Sequence, residues 1–438
     1  MAVALLGLAS GLAPAAAAAH EAPWLFVSDI HLDPRAADPL PASFGKDTNA
    51  VLLRSALAEM RRVAPDPPVV VIAGDFLAHD IRRRDATATE VTIARAFDRA
   101  FPHAQFVVTL GNEDSDCGDY GVAPNSAFLR AFARAWAPLV NRRGAAPAFT
   151  TTFVRDGFYV ARLPLHGVHA VVVDNVPWSP RFHLCGSPAN RTHVFSELEA
   201  ALRPGRDRVW VVLHIPPGID AYSTIRLAHD LVVVPLLAPR ARASFVHLAD
   251  APEDKVALIV AGHTHRFAFR ILRDDRAAQA PLLGVPAISP IYGNTPSFLT
   301  ADVEPDGTVV SADEHSLVAG RWTDVGGTRD LGLSAIDTPQ LVALQLRLTR
   351  SAPLRATWSR LYNGAGRSEI TERTWHNYWC VTGALTATGY RNCTGAGGIS
   401  VLTRLGIIVG VAVLLGFVLL VAGLIVLVAI NARSELRG

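Results

Sequence analysis

Five short apolar runs, most of them rich in β-branched residues, each stop at a side chain able to bind a metal. Trp24-Leu25-Phe26-Val27 leads into Asp29-Ile30-His31, and Val69–Ala73 into Gly74-Asp75. Phe106–Leu110 leads into Gly111-Asn112, Val209–Leu213 into His214, and Ala257–Ala261 into Gly262-His263-Thr264-His265. Apolar runs of this length with polar boundaries predict buried strands. Side chains alternate faces along a strand, so Asp29 and His31 project to one side. Loops at strand ends carry function on a rigid scaffold, and glycine at 74, 111 and 262 permits tight turns and close backbone approach. Asp29, His31, Asp75, Asn112, His214, His263 and His265 are therefore expected to converge as metal ligands. Imidazoles from four histidines favour zinc, iron or manganese over calcium or magnesium.

The segments between the runs carry a helical period. Asn49–Arg62 places Leu53, Leu57 and Met60 on one face, and Pro124–Leu139 places Phe128, Phe132 and Trp136 on one face. Thr192–Leu202 reads as a shorter helix, Phe267–Leu272, Pro281–Val285 and Phe298–Val303 as strands, and Asp306-Gly307 as a hairpin turn. Strands alternating with helices predict an α/β fold. From about Gly320 the character changes. Pro339–Thr349 reads as a helix capped by Asp337 or Thr338, Asn363–Ser368 as a glycine-rich break, and Glu369–Cys393 as an aromatic-rich stretch.

Both ends are apolar. Met1–Ala19 resembles a secretory signal without a basic start. Leu405–Ile430 is an uncharged run long enough to span a bilayer, followed by a short basic tail. These features predict a single-pass type I protein whose main domain, which carries the candidate metal ligands, is extracytoplasmic, anchored to the membrane by one C-terminal helix. Four cysteines fit an oxidising compartment and allow three pairings; Cys380–Cys393 and Cys117–Cys185 are favoured. Asn190 and Asn392 begin glycosylation sequons. A net charge of +2 gives no basic surplus for a nucleic-acid-binding patch, and nothing in the chain specifies an oligomer.

In type and order, the ligand set resembles that of the calcineurin-like metallophosphoesterases: D-x-H, G-D, G-N-H-D/E, a lone His, then G-H-x-H. The resemblance spans about Phe26 to His265. The words Gly74-Asp75-Phe76-Leu77-Ala78-His79-Asp80, His214-Ile215-Pro216-Pro217-Gly218 and Ile288-Ser289-Pro290-Ile291-Tyr292-Gly293-Asn294 are similar to the acid sphingomyelinase-like phosphodiesterase and endopolyphosphatase branch. One position departs, because the histidine of G-N-H is Glu113 here.

The resemblance implies a β-sandwich flanked by helices over 20–320, and a small, mainly helical subdomain over 321–393. A linker at 394–404, the membrane helix at 405–430 and a tail at 431–438 complete the chain. It also implies two divalent metals, zinc first, with Asp29, His31 and His265 on one, Asn112, His214 and His263 on the other, and Asp75 shared. A metal-bridging hydroxide would attack a phosphoester substrate in line, and His79 would contact the phosphate and protonate the leaving group. The alternatives are an endopolyphosphatase or phosphomonoesterase, or a non-catalytic, metal-stabilised ectodomain that binds a ligand. Glu113-Asp114-Ser115-Asp116 with Asp119 reads as a solvated acidic loop. Three readings of Glu113 stay open: it points away from the phosphate, the favoured one, it binds a cationic part of the substrate, or it marks a weakened enzyme. Substrate choice is assigned to loops such as Asp80–Glu90 and Ala221–Arg226.

Overall fold

All five apolar runs are strands, and their carboxyl ends meet at one edge of two stacked sheets. The computed structural model describes residues 22–37, 44–185, 193–203, 207–249, 255–273 and 278–395. The strands are β1 (Trp24–Val27), β2 (Val69–Ile72), β3 (Gln105–Val108), β4 (Gly121–Val122), β5 (Phe158–Arg162), β6 (Val168–Val173) and β7 (His183–Leu184). They continue with β8 (Arg208–Val212), β9 (Val256–Ala261), β10 (Ala268–Arg273), β11 (Ala278–Gly284), β12 (Ser297–Val303), β13 (Val309–Val318) and β14 (Arg321–Gly327). One sheet has the order β14-β13-β12-β1-β2-β3, the other β10-β11-β9-β8-β6-β5, and β4 pairs with β7.

Strands β1, β2 and β3 run parallel, as do β8 and β9. Parallel neighbours deliver their carboxyl ends to the same edge, which brings distant motifs together. The period of two separates the layers. On β8, Trp210 and Val212 join the core between the sheets, where Trp210 lies 5.1 Å from Trp24 and 5.8 Å from Phe26. Val209 and Val211 instead join the outer core beneath the helices His193–Ala201 and Pro239–Ala249. The other sheet is covered by Ala50–Val63, whose cap Asn49 accepts from the Leu52 amide at 2.8 Å, and by Ala127–Val140. Phe128, Phe132 and Trp136 are all buried, as their spacing predicts.

The segment assigned to a loop at Asp80–Glu90 differs. A helix spans Arg83–Ala100 and buries Ala86, Glu90, Ile93 and Phe97. Its apolar stripe is broken by buried Glu90, whose carboxylate accepts from Trp136 Nε1 at 2.7 Å, so periodicity alone did not reveal it.

The expected membrane helix is corrected. Among the described residues no helix is long and apolar enough to cross a membrane. The longest, Arg83–Ala100, carries charges along its length, whereas a span needs about 20 predominantly apolar residues. Residues 405–430, on which the expectation rested, lie outside the described residues, as do 1–19, 431–438 and Asn190. Asn392 is exposed on the helix Ala387–Thr394. Both favoured disulfides form, Cys117–Cys185 and Cys380–Cys393.

After β14 the chain is helical, through Thr338–Arg350, Ala352–Tyr362, Trp375–Val381 and Ala387–Thr394. Asp337 caps the first of these by accepting from the Gln340 amide, and Leu341, Leu344 and Leu348 are buried in the larger of the two apolar cores. Where β13 meets this layer, Glu314 is fully buried and neither carboxyl oxygen has a hydrogen-bond partner. Ser297, the adjacent hydroxyl, gives its hydrogen to the Thr295 carbonyl at 3.0 Å. Burial pushes the Glu314 pKa well up. An acid whose folded pKa exceeds its unfolded value costs nothing below the unfolded value and destabilises progressively as pH rises above it. Glu314→Gln is therefore expected to stabilise the fold by about 1–3 kcal/mol at pH 7.5, with the gain vanishing near pH 4. Equal thermal unfolding shifts at both pH values would contradict this.

Candidate metal centre

Each expected ligand follows a strand end, and the backbone bends sharply to present it. Asp29, His31, Asp75, His263 and His265 all have positive φ, between 44° and 67°. Left-handed backbone at non-glycine residues is costly and persists where the surroundings hold it. Gly74 and Gly262 are required by space: a Cβ at Gly74 would lie 2.7 Å from the Gly111 amide, and one at Gly262 would lie 2.8 Å from the Ala73 carbonyl.

The side chains form two adjoining groups. Asp29, His31 and His265 make one, and Asp75, His214 and His263 the other. His265 Nε2 lies 3.3 Å from Asp29 Oδ1 and 3.3 Å from His31 Nε2. Asn112 Oδ1 joins the second group, 2.8 Å from His263 Nδ1 and 3.2 Å from His214 Nε2. Asp75 Oδ2 sits between the groups, 3.1 Å from His214 Nε2 and 3.5 Å from His31 Nε2. All seven expected ligands are thus brought together.

The donor set fits divalent cations. His31 Nδ1 faces the Leu77 carbonyl at 3.0 Å and His214 Nδ1 the Ala73 carbonyl at 2.7 Å. Each carbonyl can accept only an N–H, which leaves Nε2 as a lone-pair donor aimed into the cluster. Burial alone would lower the His31 pKa, but Asp75, Asp29 and Asp47 raise it to about 10; against the same burial, Asp75 raises His214 to about 9. Burial and the neighbouring His214 lower His263 to about 3, and burial and His31 depress His265. Buried carboxylates that draw protons onto adjacent imidazoles mark a place where positive charge is favoured.

The acidic loop is not solvated. Glu113, Asp114 and Ser115 are buried. The Asp114 carboxylate accepts from the amides of Asp75 (2.8 Å), Phe76 (2.7 Å), Leu77 (3.1 Å) and Gly111 (2.8 Å), clamping two ligand loops together. The run of charges suggested a surface, yet strand-end turns supply the unpaired amides that one carboxylate can satisfy. Nor does Glu113 point away. Its carboxyl lies beside Asn112 Nδ2, at 3.4 Å, and Asp119, and the residue lines the cavity above the cluster. Burial, Asp75 and Asp119 push it up to about 10.

His79 stacks on His31 with ring centroids 4.3 Å apart. Its Nδ1 lies 3.0 Å from Asp47 Oδ1 and its Nε2 3.0 Å from the Tyr292 hydroxyl. Although burial opposes it, the His79 contact and the nearby His31 hold Asp47 below the usual carboxylate range. The motif reading did not single out Asp47, which lies outside the ligand words, or Arg181. Arg181 pairs with Asp119 at 3.0 Å, lies over the Tyr120 ring and reaches the cavity.

That cavity has a volume of about 310 Å³. Its floor is the cluster, and its far wall comes from the C-terminal helices through Trp358, Tyr362 and Tyr378. Arg266, next to His265, is buried and held by Glu369 at 2.7 Å, which also holds Arg226 at 2.7 Å.

The calcineurin-like phosphoesterase family model matches residues 22–267. A sphingomyelinase phosphodiesterase D of Dictyostelium discoideum is 23% identical over 264 residues, covering 58% of this chain and 57% of that protein. A cyclic GMP-AMP phosphodiesterase of Bos taurus is 24% identical over 322 residues, covering 65% and 67%. The acid sphingomyelinase-like phosphodiesterase 3b of Homo sapiens is 21% identical over 320 residues, covering 66% and 68%. The chain thus spans little more than half the length of the Dictyostelium relative. The family match covers over half of the chain and contains every residue of the converging cluster, and on that ground this protein belongs to the calcineurin-like phosphoesterase family.

Proposed function

We propose that this protein is a metal-dependent phosphodiesterase of the acid sphingomyelinase-like kind, binding two divalent ions, with zinc the first expectation and iron or manganese the alternatives. The observation that carries the reading is the placement of Asp75 Oδ2 between two three-residue groups at the floor of a cavity. Asp29, His31 and His265 would hold one ion, Asn112, His214 and His263 the other, and Asp75 both. Ions held there would supply charge neutralisation at the phosphoryl group and would lower the pKa of the attacking water.

The chain's own residues do the rest. His79, held at Nδ1 by the Asp47 carboxylate, offers Nε2 as the proton donor to the leaving oxygen. Asp47 fixes the plane of the ring. The Tyr292 hydroxyl, 3.0 Å from Nε2, occupies the place that the leaving oxygen would take. Arg181 is placed to contact a phosphoryl oxygen.

The wall favours a diester over polyphosphate. A polyanion needs a basic channel, whereas Asp119, Asp220 and Glu369 line this cavity together with Arg181, Arg266 and Arg270. Tyr222, Phe269, Trp358 and Tyr362 offer rings and apolar surface to the alcohol side of a diester. The two disulfides support an oxidising, extracytoplasmic setting for the domain.

The test is the full-length protein against bis-p-nitrophenyl phosphate, sphingomyelin, a cyclic dinucleotide and polyphosphate, with metal analysis. About two transition-metal ions per chain are expected, with diester hydrolysis lost on chelation and restored by readdition. A folded protein with one metal or none, or one that cleaves only polyphosphate, would refute the reading.

A further inference from the structure

We propose that the loop 226–234 docks on a zwitterionic lipid bilayer and sets the cavity mouth against it. Three of the seven large apolar side chains exposed among the described residues fall in this one loop: Leu227 at 60%, Leu231 at 48% and Val232 at 57%. Isolated exposed leucines are ordinary, but several exposed within one short loop are the kind of feature that marks an interaction surface. Leu227 also lines the cavity, so the loop borders it.

The loop is built to hold these side chains outward. Asp230 accepts hydrogen bonds from the Tyr390 hydroxyl and Asn377 Nδ2 of the C-terminal helices. Its own amide donates to the Thr224 carbonyl at 2.8 Å, and the Val234 amide donates to Thr224 Oγ1 at 3.0 Å. Val233, next to exposed Val232, is buried and anchors the segment. His229 and Asp230 take positive φ of 47° and 61°, a conformation that persists only where the surroundings enforce it. Apolar side chains presented outward on an enforced turn are poised to insert into an interface without further ordering cost.

Charge selects the partner. Arg226 is held by Glu369 at 2.7 Å and lies over the Tyr222 ring, and Asp230 is held by Tyr390 and Asn377. The remaining titratable group on the loop is the exposed His229. A nucleic acid or an acidic protein would need free cations here, whereas a zwitterionic interface needs aliphatic area. On the phosphodiesterase reading, such a surface would deliver a lipid diester directly to the mouth.

The experiment is hydrogen–deuterium exchange on the full-length chain with and without vesicles of phosphatidylcholine and sphingomyelin. Slowed exchange across 226–234 with vesicles is expected, and unchanged exchange there would overturn the proposal. Slowing that follows protein concentration in the absence of vesicles would assign the face to a second copy and also overturn it. In parallel, L231S/V232S should raise KM for vesicle-embedded substrate at least about tenfold and leave soluble bis-p-nitrophenyl phosphate hydrolysis unchanged. An unchanged vesicle KM would contradict the docking role. If the soluble diester is not cleaved at all, the catalytic reading fails, while the exchange measurement still decides the surface.

Discussion

Asp75→Asn is expected to leave the protein folded with less than one metal ion per chain and to lower kcat/KM for a diester at least about a thousandfold. Oδ2 of Asp75 is the atom that reaches both His214, at 3.1 Å, and His31, at 3.5 Å. Replacing the carboxylate by an amide removes a negative charge from between the two groups, and with it the charge that favours cations on either side. The fold should survive, because Oδ1, which accepts from the Glu113 amide at 2.9 Å, has a counterpart in asparagine. Substitution of His265 or His263 touches one group, so either should retain more metal than Asp75→Asn. Measured metal content at matched circular dichroism decides this, and two ions retained in Asp75→Asn would remove its bridging role.

The second large effect is at His79. His79→Ala should lower kcat at least about a hundredfold on a diester with an alkyl leaving group and far less on one with a p-nitrophenyl leaving group. A good leaving group departs without a proton, so the difference between the two substrates reports proton donation rather than general damage. Asp47→Asn should act in the same direction and more weakly, since it loosens and discharges the ring's support without removing the ring. Metal content is the control. His31, Asp47 and His79 also lie close enough together to hold an ion. If His79→Ala loses metal in step with activity, His79 is a ligand and not the acid.

Much of this was legible in the sequence because it is encoded locally. A β-branched run ending at Asp29, Asp75, Asn112, His214 or His263 specifies both a strand and the polar group at its end, and parallel pairing needs little more to align those ends. The caps at Asn49 and Asp337 and the buried faces of their helices follow from residues three and four apart. The two disulfides also agree with the expected pairing.

What stayed hidden depends on contacts between residues far apart in the chain. Glu90 interrupts an apolar stripe and is tolerated because Trp136, 46 residues away, donates to it. Asp114 reads as a surface charge until the turns after β2 and β3 direct four amides at it. Asp47 has no motif around it, and its meaning comes only from standing 3.0 Å from His79. The membrane expectation rested on local hydropathy at 405–430, whereas the described helices are amphipathic and none is long and apolar enough to span a bilayer. By itself the sequence determined the strands, the residues that converge at their ends and the family, since each is written in neighbouring residues. The tertiary structure alone decided which carboxylates support the site, where Glu113 lies and how the C-terminal helices wall the cavity, because those outcomes depend on long-range packing that no local pattern carries.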